Sequence, residues 1–324
     1  MLADIRTGYD TIWPADSVEF CPAEDARSTF VCGTYNLEKQ TEEQSAAKQP
    51  QVRRGKCLLF HLDSLSTDIR CNTTPSSLLA IANSEGHVTL HRYDATDRNL
   101  HQQQSISCAS EDTLCLSLDW SNRRSPGSLG SLAVSLSNGS IVLLHPKTSG
   151  LVMSDTWHAH DYEPWIVAWD YWNTNTIFSG GDDLMLKVWD CRQGFEQPSL
   201  VNRRFDSGIT TIQANPHVEN VVAVGSYDNS VRIFDTRNMR GAISQSDVGG
   251  GAWRVKWHPS TARAEDLAVA CMHDGFKVLR YANGFLKAHK SLAYGVDWCY
   301  ASGIEETVLA SCSFYDHELH LWRA

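Results

Sequence analysis

Residues 157–190 place the side chains of a hydrolytic site within one short stretch of the sequence. His160 could act as a base, Ser179 as a nucleophile and Asp183 as the carboxylate that orients the base. In a hydrolytic triad these three groups meet in space, whatever their order along the chain. The elements that carry the three residues therefore decide whether they do chemistry.

The same stretch predicts three short β-strands. Apolar residues alternate with polar ones in the runs that end at Trp169, Gly181 and Asp190, and polar turns separate the runs. The third run closes with a Trp-Asp pair, an ending that is typical of a propeller blade. The stretch therefore resembles a WD repeat.

The WD-repeat pattern reassigns the triad candidates to a structural role. In that pattern a loop His contacts a turn Asp, and a Ser and a Trp lie buried behind them, because buried polar groups need partners. We expect such a network in blades four and seven. Its members would be His160, Ser179, Asp183 and Trp189 in blade four, and His289, Asp316 and Trp322 in blade seven.

Copies of this unit recur along the chain. The 324 residues accommodate about seven blades of roughly 40–45 residues each. Inner strands are predicted to end at Phe20, Trp120, Trp169, Ala214, Trp257 and Trp298. The weakest copy is blade two, whose first strand we place at residues 66–71. The sequence thus predicts an all-β fold in which residues 1–324 form one domain, a seven-bladed WD-repeat β-propeller.

Two segments fall outside the repeat. The last blade lacks a fourth strand, and residues 5–13 can supply it, so that an N-terminal strand closes the ring and covers an open sheet edge. Residues 36–54 are polar and interrupt blade one, which predicts a disordered loop. An interaction loop is the functional alternative.

The composition narrows the class of partner. A net charge of −10 argues against binding to nucleic acid or to anionic membranes. The 10 Cys contain no CxxC pair and predict free thiols. No apolar run reaches membrane-spanning length, and the first residues do not resemble a signal peptide. We therefore expect a monomeric cytoplasmic protein.

One end of the central channel is predicted to collect aromatic and acidic side chains. The fourth residue before the end of each inner strand should lie at the channel mouth, which gives Asp16, Leu116, Trp165, Thr210, Trp253 and Tyr294. The hairpins between second and third strands should add Asp182, Tyr227, His273 and Tyr315 at the same end. Glu163 and Arg254 are neighbours of these residues in sequence and join the set.

This set has a structural and a functional interpretation. Aromatic side chains at these positions can pack between blades. A rim of exposed aromatic and acidic groups also suits a protein–protein contact, or a quaternary ammonium group held by cation–π attraction. Residues 249–251, three glycines before Trp253, would let the backbone approach a ligand or would form a tight loop.

Standard motifs for other chemistries are absent from the sequence. It contains no G-x-S-x-G elbow, no Gly-rich phosphate loop and no H-E-x-x-H. His158 and His160, with Asp161 and Glu163 following, could bind a metal, but His160 already has a blade role and no third ligand is specified by spacing. We expect neither a metal nor a cofactor.

Several segments are more specific than a generic WD repeat. They are ADSVEFCP, SLDW, WHAHDYEPWIVAW, SGGDD, GSYDNSVRIFDTRN, GGGAWRVKWHP, ACMHDGFK, YGVDW and SCSFYDHELHLW. Together they resemble the WD-repeat diphthine methyl ester hydrolases of diphthamide biosynthesis, also called the diphthine methyltransferase family. The resemblance covers nearly the whole chain and is strongest over residues 157–322. It departs at blades one and two, where the family has a longer connection.

The resemblance implies an activity and a partner. The family removes the methyl ester from methylated diphthine on a histidine of translation elongation factor 2, and the freed carboxylate is then amidated to diphthamide. That substrate carries a trimethylammonium group, which fits an aromatic rim. The substrate-binding residues would be Trp165, Tyr227, Trp253, Tyr294, Tyr315 and Asp16.

A catalytic hypothesis follows from the same rim. His273 would act as general base on water, because the ordinary pKa of histidine lies near neutrality. Asp182 or Glu163 would orient it, and Arg254 or the backbone N–H groups of residues 249–251 would stabilise the oxyanion. The alternative is a non-catalytic scaffold that binds elongation factor 2 or other proteins of the pathway, because a propeller fold does not fix a function.

Overall fold

Seven small antiparallel sheets make up the structure, which is a computed structural model. It describes residues 4–24, 26–38, 52–62, 77–125, 128–280, 291–301 and 307–324, with the backbone alone for residues 4–7. Within these residues the one helical element is a 3₁₀ turn, Thr261–Arg263. The sheets follow one another along the chain and form a ring of blades. The prediction of an all-β, seven-bladed propeller is therefore confirmed.

The strands are numbered in chain order and grouped by blade. The first strand is β1 (Asp4–Asp10). Blade one has β2 (Ala15–Phe20), β3 (Thr29–Leu37) and β4 (Arg53–His61). Blade two has β5 (Leu78–Ala82), β6 (His87–Asp94) and β7 (Asn99–Ser107). Blade three has β8 (Cys115–Trp120), β9 (Leu132–Leu136), β10 (Ser140–Lys147) and β11 (Gly150–His158).

The second half of the ring follows the same order. Blade four has β12 (Ile166–Trp169), β13 (Thr176–Gly180), β14 (Leu186–Asp190) and β15 (Leu200–Asn202). Blade five has β16 (Ile209–Ala214), β17 (Val221–Ser226), β18 (Ser230–Asp235) and β19 (Ser244–Asp247). Blade six has β20 (Arg254–Trp257), β21 (Asp266–Ala270) and β22 (Phe276–Arg280). Blade seven has β23 (Ala293–Trp298), β24 (Val308–Ser313) and β25 (Glu318–Arg323).

The N-terminal strand completes blade seven. β1 pairs antiparallel with β25, in a register that sets Tyr9 opposite Leu319, and the order of that sheet is β1-β25-β24-β23. The backbone N–H of Thr11 continues the contact by donating to the His317 carbonyl at 2.9 Å. Ring closure by an N-terminal strand, as the sequence predicted, is confirmed.

The polar segment of blade one begins later and ends earlier than the sequence indicated. Leu37 pairs with Arg53, so that the two residues at each end of the predicted loop 36–54 belong to β3 and β4. A hairpin arm can continue through polar residues because backbone hydrogen bonds hold it and Glu38 forms an ion pair with Arg54. Residues 39–51, the predicted strand 66–71 and His289 lie outside the described residues.

The histidine, serine and tryptophan of blade four form the predicted structural network. His160 Nδ1 lies 2.9 Å from the Asp183 carboxylate, and its Nε2 lies 2.7 Å from Ser179 Oγ. The Trp189 indole N–H donates to the same Ser179 oxygen at 2.9 Å. Burial lowers the pKa of His160. Because both ring nitrogens of His160 have partners within the blade, His160 has a structural role. His160, Ser179 and Asp183 are therefore not interpreted as a catalytic triad.

Neighbouring blades are joined where their inner strands meet. The backbone N–H of Val167 donates to Ser117 Oγ at 2.9 Å, and that of Trp257 donates to Gln213 Oε1 at 2.7 Å. The closing contact joins residues 277 positions apart, because the Phe20 N–H donates to the Asp297 carboxylate at 2.7 Å. These bonds satisfy backbone donors that no strand pairs with on the channel side.

Two further sequence expectations concern the whole chain. The described cysteines, nine in number, are all free thiols, as predicted. None of the helical turns in the described part of the chain has the length and apolar composition needed to cross a membrane.

The Asp297 carboxyl makes ring closure sensitive to pH. Burial raises its pKa from 3.8 to about 7, and the Lys256 ammonium opposes the rise. The folded state then binds a proton that the unfolded state releases above pH 3.8, so stability should fall as pH rises from about 4 to about 7. Asp297→Asn keeps an acceptor for Phe20 without the charge. Its melting temperature should rise relative to wild type between pH 5 and pH 8.

The matched variant Asp297→Ala leaves the Phe20 N–H without an acceptor. It should lose roughly 1–3 kcal/mol at every pH. Parallel pH profiles for wild type and Asp297→Asn would contradict a buried, titrating carboxyl at this position.

Candidate functional site

Four inner strands carry a β-bulge near the end that begins at the channel mouth. The pairing of first and second strands shifts register at Ala15/Ser17, Cys115/Ser117, Ile209/Thr211 and Ala293/Gly295. The extra residues are Asp16, Leu116, Thr210 and Tyr294. A bulge leaves one residue without a ladder partner and re-aims its side chain. In blades four and six the inner strand begins two residues later than in the bulged blades, directly after Trp165 and Trp253.

Four of the predicted aromatic residues form one cluster at this mouth. The Trp253 ring centroid lies 5.7 Å from that of Trp165, 5.8 Å from that of Tyr227 and 4.8 Å from that of Tyr294. Trp253 is 8% exposed and forms the floor of the cluster, while the other three are half-buried around it. Trp253 therefore packs between blades. Trp165, Tyr227 and Tyr294 line a surface that is partly open to solvent.

The cluster continues toward blade one through two residues that the sequence analysis missed. Phe314 lies 5.1 Å from Tyr294, 5.1 Å from Tyr315 and 6.0 Å from Tyr35 between ring centroids. Phe314 directly precedes Tyr315 in its hairpin, which was a usable signal. Tyr35 lies on β3, just past the register shift between β2 and β3. Counting residues back from the end of an inner strand therefore does not identify it. Tyr315 stands at the exposed edge of the cluster.

Two carboxylates border the aromatic cluster, each next to a tyrosine. Burial raises the pKa of Asp16, and the Arg254 guanidinium opposes that rise. Burial, Glu163 and Asp183 raise the pKa of Asp182. Neither Asp16 nor Asp182 forms an ion pair with another described residue. Each is thus a desolvated carboxylate without an ion-pair partner in the described part of the chain.

The tyrosines show how close these groups lie. Burial and the Asp16 carboxylate raise the pKa of Tyr294 to about 12. Burial and the Asp182 carboxylate raise the pKa of Tyr227, against the influence of Arg254. Arg254 acts on both Asp16 and Tyr227, which places its charge between the two halves of the site. Its Nη1 donates to the Thr210 carbonyl at 3.2 Å and makes no ion pair with a described carboxylate.

Two indole N–H groups in the cluster lack partners. Nε1 of Trp165 and Nε1 of Trp253 are buried, and neither has a hydrogen-bond partner among the described residues. The Trp165 N–H faces Asp182 and opposes the rise of its pKa, but the pair does not reach hydrogen-bond geometry. Buried donors without partners are uncommon, and they cluster where proteins bind ligands or water.

A glycine that the sequence analysis did not single out gives Asp182 its place. A Cβ atom on Gly208 would lie 2.2 Å from Asp182 Oδ1 and 3.1 Å from the Tyr227 ring. Residues 249–251, by contrast, are glycines for packing reasons. A Cβ on Gly250 would lie 2.2 Å from the Cys271 carbonyl oxygen, and Gly249 has φ +79°. The glycine run therefore packs on the blade-six hairpin.

The remaining predicted catalytic residues fall in two different settings. The Glu163 carbonyl accepts the Asp182 N–H at 3.0 Å, so that Glu163 stands directly beside the site. His273 lies exposed on the blade-six hairpin, and its side chain has no hydrogen bond to a described residue. The next carboxylate along the chain, Asp274, is held by Lys277 at 2.7 Å. The predicted orientation of His273 by Asp182 or Glu163 therefore has no contact to support it.

The channel mouth offers no grouped metal ligands among the residues that the structure describes. The one cluster of three suitable side chains among the described residues is Asp94, Asp97 and His101, which is exposed at the end of the hairpin between β6 and β7. His101 Nε2 already lies 2.7 Å from the Asp97 carboxylate. At the mouth, the arrangement can instead bind a cation through aromatic faces and can offer a carboxylate to a water molecule.

Comparison with known proteins identifies relatives over almost the full chain. The diphthine methyltransferase homolog of Dictyostelium discoideum is 32% identical, covering 96% of this chain and 96% of the relative. Diphthine methyltransferase of Schizosaccharomyces pombe is 31% identical, covering 96% and 95%. Diphthine methyltransferase of Mus musculus is 35% identical, covering 91% and 69%. A scan against protein-family models found no match.

Solved structures confirm the architecture. A chain of the crystal structure of the mitotic checkpoint complex superposes with a TM-score of 0.71, covering 99% of this chain and 91% of that chain. The two sequences are 13% identical, so that this likeness concerns the fold alone.

The aromatic cluster should bind a small quaternary ammonium ion. Titration with tetramethylammonium chloride should change the tryptophan fluorescence saturably, because cation–π contacts form at the half-buried rings. Trp165→Leu should weaken binding by about tenfold, within the range of one cation–π contact. The matched variant Trp165→Phe keeps an aromatic face and should retain most of the binding. Equal affinity in the Leu and Phe variants would show that Trp165 serves packing alone.

Proposed function

This chain belongs to the diphthine methyltransferase family, and we propose that it hydrolyses the methyl ester of methylated diphthine on translation elongation factor 2. The observation that carries the proposal is the pairing of an aromatic cluster with two carboxylates, Asp16 and Asp182, that form no ion pair with any residue that the structure describes. Methylated diphthine carries a trimethylammonium group and a methyl ester. The site offers groups suited to each, within one channel mouth.

The trimethylammonium group fits the aromatic side of the mouth. Trp165, Tyr227 and Tyr294 present half-buried rings around Trp253, and aromatic faces attract a cation that cannot donate hydrogen bonds. Asp16 adds a carboxylate next to Tyr294. A desolvated carboxylate without an ionic partner favours a bound cation, because the cation relieves the cost of its burial.

Ester hydrolysis requires a base for water and a group that stabilises the oxyanion. Water attacks the ester carbonyl carbon while Asp182 takes its proton, and the carbonyl oxygen becomes an oxyanion beside Arg254. The tetrahedral intermediate then breaks the bond to the methoxy oxygen, which takes the proton from Asp182 and leaves as methanol. The carboxylic acid that remains on the side chain loses its proton to solvent and becomes a free carboxylate.

Asp182 suits the role of base better than His273 does. Its raised pKa brings a carboxyl group closer to neutrality, where general-base catalysis is most effective. It stands beside Tyr227, in the cluster that would hold the substrate. His273 has neither a carboxylate to orient it nor a contact with the cluster among the described residues.

Hydrolysis is favoured over methyl transfer by the architecture. The regular elements of the described residues are strands, apart from one 3₁₀ turn, and they include no strand–loop–helix unit of the kind that binds nucleotide cofactors. A non-catalytic scaffold remains the rival function, in which the same mouth would hold the modified side chain without reacting. As an enzyme on elongation factor 2, the protein would act in the cytoplasm.

Methanol release from elongation factor 2 that carries methylated diphthine tests the proposal. Wild type should release one methanol for each modified side chain. Asp182→Asn should lower kcat by about 10²–10⁴-fold with little change in KM, which is the usual cost of losing a general base. Asp161→Asn removes an exposed carboxylate from the neighbouring loop and should leave both constants unchanged.

The pH profile adds a second readout. Because the base must be ionised, the rate should rise with pH through the raised pKa of Asp182 and then level off. Full activity in Asp182→Asn combined with loss in His273→Ala would return the role of base to His273. Tight binding of the modified factor without any methanol release would favour the scaffold.

A further inference from the structure

Exposed apolar side chains flank the channel mouth on two opposite sides. The upper face is defined here as the end of the ring formed by the hairpins between second and third strands and by the loops that enter the inner strands. On it, Tyr162 and Leu184 of blade four are 63% and 39% exposed. Ile12 and Tyr315, beside blade seven, are 68% and 71% exposed. We call these pairs the blade-four pole and the blade-seven pole.

One residue of each pole holds a backbone conformation that its side chain disfavours. Leu184 has φ +62° and Ile12 has φ +68°, in the left-handed region. At the position of Leu184, the hairpins between second and third strands of other blades have Gly86, Gly139, Asn229, Gly275 and His317, all at positive φ. Ile12 lies in the loop between β1 and β2. Glycine and asparagine enter this region readily, whereas leucine and the β-branched isoleucine do so at a cost in stability.

Leu184 and Ile12 therefore each lower the stability of the fold in two ways. Each exposes an apolar surface to water and strains the backbone that carries it. The Ile12 side chain is 68% exposed and that of Leu184 is 39% exposed, so that a large part of each apolar surface faces solvent. Strained residues of this kind concentrate at sites of function, where another interaction compensates for them.

The place of the poles indicates what covers them. Blades four and seven lie three blades apart in a ring of seven, so that the poles face each other across the mouth. The aromatic cluster lies between them, with Trp165 and Asp182 from blade four and Tyr294 from blade seven. When a side chain of another protein enters this mouth, the surface of that protein around the side chain comes to lie on both poles.

We propose that the two poles dock the folded protein that carries the esterified side chain, so that this enzyme recognises a protein surface and not the modified side chain alone. The inference rests on the proposed function, because it assumes that a side chain of another protein enters the mouth. Its partner is a folded surface with apolar groups on both sides of the modified residue. Apolar contacts around a buried anchor are the usual architecture of such an interface.

Two substitutions each remove one apolar side chain from a pole and put in a residue that tolerates positive φ. Leu184→Asn installs the residue type that blade five has at the corresponding place, Asn229. Ile12→Gly installs the residue that tolerates positive φ best. Both variants should melt at or above the temperature of wild type. The matched control is Ile243→Asn, which changes a side chain that is 61% exposed at the opposite end of blade five.

The experiment compares two substrates for methanol release. One is intact elongation factor 2 with methylated diphthine, and the other is a short peptide with the same modified histidine. Each pole variant should lower kcat/KM on the intact protein by roughly tenfold, the effect of losing one good apolar contact, and the double variant should lower it further. On the peptide all variants should match wild type. Ile243→Asn should match wild type on both substrates.

Other outcomes have distinct meanings. Equal losses on the protein and on the peptide would show that the poles act through the shape of the mouth, which overturns the docking proposal. Unchanged activity on the intact protein would also overturn it. If wild type releases no methanol from either substrate, the proposed function fails. In that case, the affinity for modified elongation factor 2 is measured by calorimetry for wild type and for both pole variants. Weaker binding by both variants supports the docking proposal, and unchanged binding overturns it.

Discussion

Hydrogen bonds between inner strands are the constraint on which the site depends. Each propeller blade buries one face against the next, but packing of apolar faces tolerates sliding. The bonds from Val167 to Ser117, from Trp257 to Gln213 and from Phe20 to Asp297 remove that freedom. They fix the inner strands that they join at one height along the channel. The mouth residues, which come from the starts of these strands, can then meet at ring distances of 4.8 to 5.8 Å.

Much of this arrangement could be predicted from the sequence, because it depends on periodicity. Alternating apolar runs between turn residues located the blades, and aligned positions located Trp165, Trp253 and Tyr294. The network of His160, Ser179, Asp183 and Trp189 followed from repeat position, and the structure confirms it. Such features repeat from blade to blade, so that one clear copy explains the others.

Other features could not be predicted, because they depend on backbone detail. The sequence does not predict the bulges at Asp16 and Tyr294. A bulge is a one-residue shift in the pairing of two strands, and it changes no periodicity that the sequence shows. Gly208 makes room for Asp182 through a contact across a loop. Tyr35 joins the aromatic cluster through Phe314, from a hairpin whose length the polar composition obscured. The isolation of His273 also required coordinates, because sequence places it beside an aspartate that Lys277 already holds.

Ring closure determines when, during synthesis of the chain, the channel mouth is completed. Asp16 belongs to the first inner strand and Tyr294 to the last, and β1 pairs with β25. During synthesis on the ribosome the early blades emerge with one flank uncovered, and the two halves of the mouth are still separated by unfinished chain. The complete site therefore assembles late, when the last blade meets the first. A nascent chain lacks the full mouth, because the contacts farthest apart in sequence are the ones that complete it.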